Sequence, residues 1–164
     1  MKSEADEYDY YTRDLAPIIE ETTDVTKRDE TYVFVYGTLK RGNGNHRLLK
    51  SSRFISTVGT KKTFMMFGGG FPLCREPVDN DNHYHAGVVK GELFAVDDAT
   101  LARLDRLEGH PNFYERRVTE IEEFLASKVW MYHWNSDGRV EGAQHVPKRG
   151  SDGPIHDWKP GRGW

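Results

Sequence analysis

One glutamate lies where the pattern of a predicted helix calls for an apolar residue. The pattern predicts a helix over residues 101–108, with an N-cap within 97–100 and a stop at Gly109. At about 100° per residue, Leu104 lies about 60° from Leu101, and Glu108 about 20° from it on the same side. Glu108 therefore shares the apolar stripe and sits near the negative end of the helix dipole, so its pKa should be raised if the side chain is occluded. If the helix frays before Glu108, the carboxylate lies in water instead.

A second candidate feature is a buried strand that breaks at a glycine. Residues 32–36 are apolar, β-branched and aromatic, which is typical of a buried strand, and Gly37 and Thr38 follow directly. Backbone N–H groups beyond such a break have no ladder partner and must bond to water, a side chain or a ligand. A glycine also lets a ligand approach the backbone closely. The same pattern fits a plain β-turn between two elements.

Other reactive residue types stand in patterns that favour structural roles. Cys74 has no histidine beside it in the sequence, which favours a buried thiol over a nucleophile. Residues 79–82 lack the glycine and the final glutamate of a calcium loop, so they predict a surface turn. His83 and His85 would share one side of a strand, but no third zinc ligand stands at a suitable spacing.

The elements that must position these residues are mostly short strands. Strands are predicted over residues 32–36, 54–58, 62–67, 88–96, 116–122 and 129–134, and a short helix over 46–50. Short turns join most of the strands, and helices do not alternate regularly with them. The pattern therefore predicts an α+β fold built on a mixed sheet. From about residue 135 onward, glycine, proline and charged residues predict an irregular C-terminal tail.

Length and composition limit the organisation and the partners. The 164 residues suit one domain over 31–164, preceded by an acidic extension over 1–30 that we expect to be loosely ordered. A net charge of −3 without a basic block argues against nucleic acid or an anionic membrane as partner. No run is long enough to span a membrane, and the N-terminus lacks the features of a signal peptide. A single cysteine excludes an internal disulfide, so we expect a cytoplasmic protein.

Two stretches resemble the signatures of a known enzyme family. They are VFVYGTLKRGNGNHRLL over residues 33–49, and LDRLEGHP over 104–111 with Tyr114 and Arg116 beyond it. Together they resemble the γ-glutamylcyclotransferase-like family, and most closely its γ-glutamylamine cyclotransferases, over residues 32–134. The resemblance implies that the mixed sheet curls into a small barrel with a few short helices. It also implies that Glu108 is the catalytic acid/base and that no cofactor or metal is needed.

The resemblance further implies which residues hold a small γ-glutamyl substrate. The family's loop after the first strand binds the substrate through backbone amides, which here belong to Gly37, Thr38 and Leu39. These amides would hold either the substrate carboxylate or the developing oxyanion. Tyr36 and Tyr132 are candidates for hydrogen bonds in the pocket, although a buried tyrosine bonded to backbone explains either one equally well.

The reaction implied by the resemblance is intramolecular. The α-amine of a γ-glutamyl group attacks its own γ-carbonyl, which closes 5-oxoproline and expels an amine, for example from γ-glutamyl-ε-lysine. Alternatives are a cyclotransferase for γ-glutamyl amino acids or glutathione, and a non-catalytic module that binds γ-glutamyl groups. Lys40 and Arg41 would face solvent or the distal part of the substrate. A phosphate site at residues 40–42 lacks the Walker spacing.

Overall fold

Strand β1, Thr31–Val35, is the central strand of the sheet. In the computed structural model, residues 30–125, 128–136 and 147–160 are described, and the expected acidic extension over 1–29 lies outside them. β1 pairs in antiparallel fashion with β4, Gly87–Val96, and in parallel with β6, Val129–Trp134. Both of its faces are covered, which explains why its sequence is a continuous apolar run and not an alternating one.

The remaining elements flank this centre. The strand order is β3–β2–β4–β1–β6–β5, and a hairpin of β7 and β8 adds β8 parallel to β4. The bounds are β2 Arg53–Phe67, β3 Leu73–Arg75, β5 Tyr114–Val118, β7 Lys148–Gly150, β8 Gly153–His156, helix α1 Asp98–Glu108, and two 3₁₀ helices, Gly44–Leu49 and His83–His85.

Backbone hydrogen bonds close the sheet into a small barrel. The N–H of Glu122 donates to the carbonyl of Gly59 at 2.9 Å, and the N–H of Lys61 donates to the carbonyl of Glu120 at 3.0 Å. These bonds join the segment after β5, at one end of the strand order, to the middle of β2, near the other end. The predicted α+β class, a mixed sheet curled into a small barrel with a few short helices, is confirmed.

The core has two layers, one on each face of β1. Phe34 belongs to a buried cluster with side chains of β2, β4 and β6. Val33 and Val35 belong to a second cluster, which contains Leu104 of α1. The helix is therefore packed on the face of β1 that carries Val33 and Val35.

Several elements differ from their predictions. The two strands expected at 54–58 and 62–67 are one strand, β2, whose pairing with β4 shifts register between Gly59 and Thr63. The strand expected over 116–122 ends at Val118. His83 and His85 lie in a 3₁₀ helix, so the prediction that they share one side of a strand is wrong.

The C-terminal region is more regular than its composition predicts. β7 and β8 lie within the tail that was expected to be irregular, while residues 137–146 and 161–164 lie outside the described part of the chain. Trp158 is buried in the cluster that contains Phe34. None of the described helices has the length and apolar character needed to cross a membrane.

Candidate active site

Helix α1 carries Glu108 as its last residue. The Asp97 carboxylate accepts a hydrogen bond from the Thr100 N–H at 2.7 Å, which caps the first turn. At the other end, Gly109 adopts a left-handed φ of 63°, and the N–H of His110 donates to the carbonyl of Asp105 at 2.9 Å. The helix therefore does not fray before Glu108, and the carboxylate is held by a fully capped element.

The six residues expected to form the site line one cavity of about 260 Å³. The loop after β1, the end of α1 and strand β6 each contribute part of the wall. The rest of the wall is mostly apolar and consists of Phe34, Val35, Asn45, Gly70, Phe71, Pro72, Leu107, Phe113 and Tyr114. The predicted residues in the wall are Tyr36, Gly37, Thr38, Leu39, Glu108 and Tyr132.

Glu108 has an unusual electrostatic environment. Among the described residues it has no hydrogen-bond donor and no cation as partner. Burial raises the pKa of its carboxyl from the ordinary 4.5 to about 7. A carboxyl with a pKa near neutrality exchanges its proton readily in both directions, which suits a general acid/base.

The loop after β1 leaves three successive amides unpaired. Its carbonyls are used: the N–H of Lys40 donates to Gly37 O at 3.1 Å, and the N–H of Asn45 donates to Thr38 O at 3.2 Å. The Asn45 side chain also donates to the Thr38 hydroxyl at 2.9 Å. In the described ranges, no acceptor is bonded to the amides of Gly37, Thr38 or Leu39. These amides are therefore available to an anionic oxygen in the cavity.

Gly37 is required by close packing within this wall. A Cβ atom at this position would lie 2.8 Å from Cγ and 2.9 Å from Cδ of Pro72. Pro72 itself lines the cavity. The glycine therefore brings the loop against the opposite wall, a role that a simple β-turn would not require.

Three tyrosines surround the carboxylate, and each hydroxyl already has an acceptor. Tyr36 donates to the carbonyl of Tyr132 at 2.7 Å, Tyr114 to the carbonyl of Pro72 at 2.6 Å, and Tyr132 to Asp105 at 2.7 Å. Burial raises the pKa of all three hydroxyls, and the nearby Glu108 carboxylate adds to the effect. The phenols therefore remain protonated and line the cavity as neutral groups.

Asp105 has a structural role that its sequence position does not indicate. Asp105 accepts hydrogen bonds from Tyr132 at 2.7 Å and from Arg116 at 2.9 Å and 3.2 Å. Burial alone would raise the pKa of Asp105, but these bonds hold it below the usual range. Two carboxyls one turn apart on α1 thus differ, since Asp105 is held ionised while the pKa of Glu108 lies near neutrality.

Lys40 and Arg41 lie outside the cavity. They line a separate cavity of about 470 Å³ that shares none of the first cavity's wall residues in the described part of the chain. The Lys40 ammonium donates to the carbonyl of Trp158 at 2.6 Å, and the N–H and Nε of Arg41 donate to the Glu92 carboxylate at 3.0 Å and 3.3 Å. Lys40 is 13% exposed, so the expectation that it faces solvent is wrong. Both cations are bound to protein groups, which argues against a phosphate site.

The other candidates have structural environments. Cys74 is fully buried, as expected, and burial raises the pKa of its thiol. Asp81 is also buried and forms a two-point ion pair with Arg75 at 2.6 Å and 3.0 Å, so the prediction of a surface turn is wrong at this residue. No group of three metal-ligating side chains is assembled among the residues that the structure describes.

Comparison with known proteins assigns the chain to a family. The family model described as gamma-glutamyl cyclotransferase, AIG2-like, matches residues 33–159. A Methanocaldococcus jannaschii protein provisionally named gamma-glutamylcyclotransferase is 38% identical over 106 residues, which are 63% of this chain and 83% of that protein. The gamma-glutamylaminecyclotransferase of Homo sapiens is 34% identical over 98 residues, which are 55% of this chain and 61% of that protein.

A solved structure agrees with the fold. The crystal structure of an AIG2-like protein from Mus musculus has a TM-score of 0.56, covers 82% of this chain and all of its own, and is 23% identical. The likeness of the folds and the match over 33–159 agree with the two sequence signatures, and this chain belongs to the AIG2-like γ-glutamyl cyclotransferase family.

Proposed function

We propose that residues 31–164 form a γ-glutamylamine cyclotransferase, which releases 5-oxoproline and a free amine from γ-glutamylamines. One observation carries this proposal: the Glu108 carboxylate shares a cavity of about 260 Å³ with the amides of Gly37, Thr38 and Leu39, and none of these groups has a partner in the part of the chain that the structure describes. The arrangement offers one group that moves protons and one that receives negative charge, and the proposed cyclisation needs both. We retain the cytoplasm as the expected compartment.

In the proposed mechanism, Glu108 moves two protons between two nitrogens. The carboxylate takes one proton from the substrate's α-ammonium, and the nitrogen lone pair attacks the γ-carbonyl carbon to form the ring C–N bond. The bond between the γ-carbon and the leaving nitrogen breaks as that nitrogen accepts the proton from Glu108. The ring nitrogen then gives a second proton to the Glu108 carboxylate. The products are a neutral lactam and, after that proton is passed on, an alkylammonium ion. A single carboxyl with a pKa of about 7 can serve as base and acid in turn.

The loop amides supply the second part of the proposed mechanism. Their N–H groups can hold the α-carboxylate of the substrate or the oxyanion that forms at the γ-carbonyl. Loss of one such donor costs on the order of 10²–10³-fold in comparable sites. By holding the γ-glutamyl group of the substrate bent, the cavity also favours ring closure. Good orientation of the reacting groups lowers the barrier of such intramolecular reactions by roughly 7–11 kcal/mol.

The charge of the cavity wall favours amines over amino acids as leaving groups. Among the described residues, no lysine, arginine or histidine lines the cavity, and Glu108 is its charged member. The carboxylate of a leaving amino acid or of glutathione would lose water without gaining a cation. The similarity to a human protein named gamma-glutamylaminecyclotransferase supports the same class.

The proposal is tested with purified protein and γ-glutamylmethylamine, with 5-oxoproline measured by chromatography. We expect Glu108→Gln to abolish release while the protein stays folded, and Glu120→Gln, an exposed carboxylate outside the cavity, to behave as wild type. Near-full activity in folded Glu108→Gln would remove Glu108 from the mechanism. Tight binding measured by calorimetry without turnover by the wild type would favour the non-catalytic module, and faster turnover of γ-glutamyl amino acids or glutathione would favour that substrate class.

A further inference from the structure

The cavity has an apolar rim that the cyclisation itself does not require. Three of its wall residues leave much of their side chains in water: Phe71 is 50% exposed, Phe113 47% and Leu107 40%. Exposed single apolar residues are common, but these three line the same cavity, and the rings of Phe71 and Phe113 are in contact. Such a patch at a substrate cavity indicates a surface that the substrate covers.

The rim is assembled from three separate parts of the chain. Phe71 lies in the loop between β2 and β3, Leu107 at the end of α1, and Phe113 in the segment before β5. The rings of Phe71 and Phe113 meet edge to face with their centroids 6.3 Å apart, and Phe113 packs on Tyr114 with centroids 5.0 Å apart. The two phenylalanine rings therefore support each other, and they are a built part of the wall.

Leu107 is the rim residue that lies next to Glu108 in the sequence. It directly precedes Glu108 on α1, and both line the cavity. A γ-glutamyl group whose γ-carbonyl reaches Glu108 must extend its leaving amine away from the loop amides that hold the other end. The apolar rim is the part of the wall left for the substituent of that amine.

We propose that the preferred substrates are γ-glutamylamines whose amine carries an apolar group, aromatic or branched alkyl, that packs against Phe71, Leu107 and Phe113. This inference rests on the proposed function and narrows its substrate class. This class does not include γ-glutamyl-ε-lysine, because the carboxylate of its lysine would meet no lysine, arginine or histidine among the described residues that line the cavity. The bonds formed and broken are those of the cyclisation described above.

A substrate series separates this inference from the reaction itself. The γ-glutamyl derivatives of methylamine, 3-methylbutylamine, 2-phenylethylamine and the ε-amine of lysine are compared by kcat/KM for 5-oxoproline release. Burial of one CH₂ group gives about a fourfold gain. Since the rim is open on one side, we expect the phenylethyl compound to exceed the methyl compound by about 10- to 100-fold, and also to exceed the lysine compound.

Variants test whether the rim is the cause of the preference. We expect Phe71→Ser and Phe113→Ser to lower the phenylethyl-to-methyl ratio of kcat/KM about tenfold. Val118→Ser is the matched control, because Val118 is 53% exposed on β5 and does not line the cavity. Since each ratio compares two substrates on one protein, a loss of folded protein does not change it.

Each outcome has a distinct meaning. Turnover of the methyl compound without any gain for the phenylethyl compound, or with preference for the lysine compound, would overturn this inference and leave the proposed function in place. Ratios unchanged in both rim variants would also overturn it. Failure of every compound to yield 5-oxoproline would overturn the proposed function and this inference together.

Discussion

Replacing Glu108 by glutamine should make the protein more stable at pH 8 while it abolishes the reaction. The side chain is half-buried and has no partner among the described residues, so the fold opposes ionisation of the carboxyl. Glutamine has nearly the same shape and carries no charge. It therefore removes the unfavourable burial of an anion and creates no cavity.

The size and the pH window of this effect follow from the pKa of Glu108. Folding raises that pKa from 4.5 to about 7, so the folded protein binds the proton more tightly than the unfolded chain does. Stability therefore falls as the pH rises from about 4.5 to about 7, and the loss is complete above that range. At about 1.4 kcal/mol per pH unit, the wild type loses about 3 kcal/mol that the variant keeps.

Urea unfolding followed by tryptophan fluorescence at pH 5 and pH 8 measures the difference. We expect the free energy of unfolding of Glu108→Gln to exceed that of wild type by about 3 kcal/mol at pH 8 and to be close to it at pH 5. Glu120→Gln, at an exposed position, should match wild type at both values. Equal unfolding free energies of Glu108→Gln and wild type at pH 8 would refute the reasoning, since they would mean that the carboxylate is well solvated or paired.

Three further predictions concern the same wall. The pH profile of kcat/KM should rise through about pH 7, where Glu108 becomes a base, and fall at higher pH, where the substrate α-amine loses its proton. A rising limb near pH 4.5 would contradict the raised pKa of Glu108. Asp105→Ala should cost about 1–3 kcal/mol in urea unfolding, because it leaves the Tyr132 hydroxyl without its acceptor, and it should couple with Tyr132→Phe; strictly additive losses would argue against the bond. Gly37→Ala should reduce kcat/KM at least tenfold, because its Cβ would lie 2.8 Å from the Pro72 ring. Kinetics equal to those of wild type would show that Pro72 can move aside without disturbing the site.

Local patterns predicted the parts of the site that depend on local physics. β1 is a continuous apolar run because both its faces are covered, and this is visible in the residue types alone. Glu108 was identified because helical periodicity, N-cap and glycine stop lie within about a dozen residues of one another. In the structure, the end of this helix and the loop after Gly37 line one cavity. The family resemblance implied that they lie close together, whereas periodicity alone could not predict it.

Features made by distant partners were not predictable in this way. Asp105 bonds to Arg116 and Tyr132, which are 11 and 27 residues away, and no local pattern marks such a group. β8, Gly153–His156, contains glycine and proline, which are poor strand residues, and forms because β4 offers it a free edge. Lys40 was wrongly expected at the surface, because the Trp158 carbonyl that accepts its hydrogen bond is 118 residues away and no local pattern indicates it.

The hydrogen bond from Lys40 to the Trp158 carbonyl links the loop after β1 to a residue that is translated much later. The Lys40 ammonium directly follows the loop amides and is bonded to the carbonyl of Trp158. β1 is translated before Lys40, whereas Trp158 follows Lys40 by 118 residues. We therefore expect nascent chains that stop before Trp158 to bind γ-glutamyl compounds poorly, even where the strands from β1 to β6 have already paired.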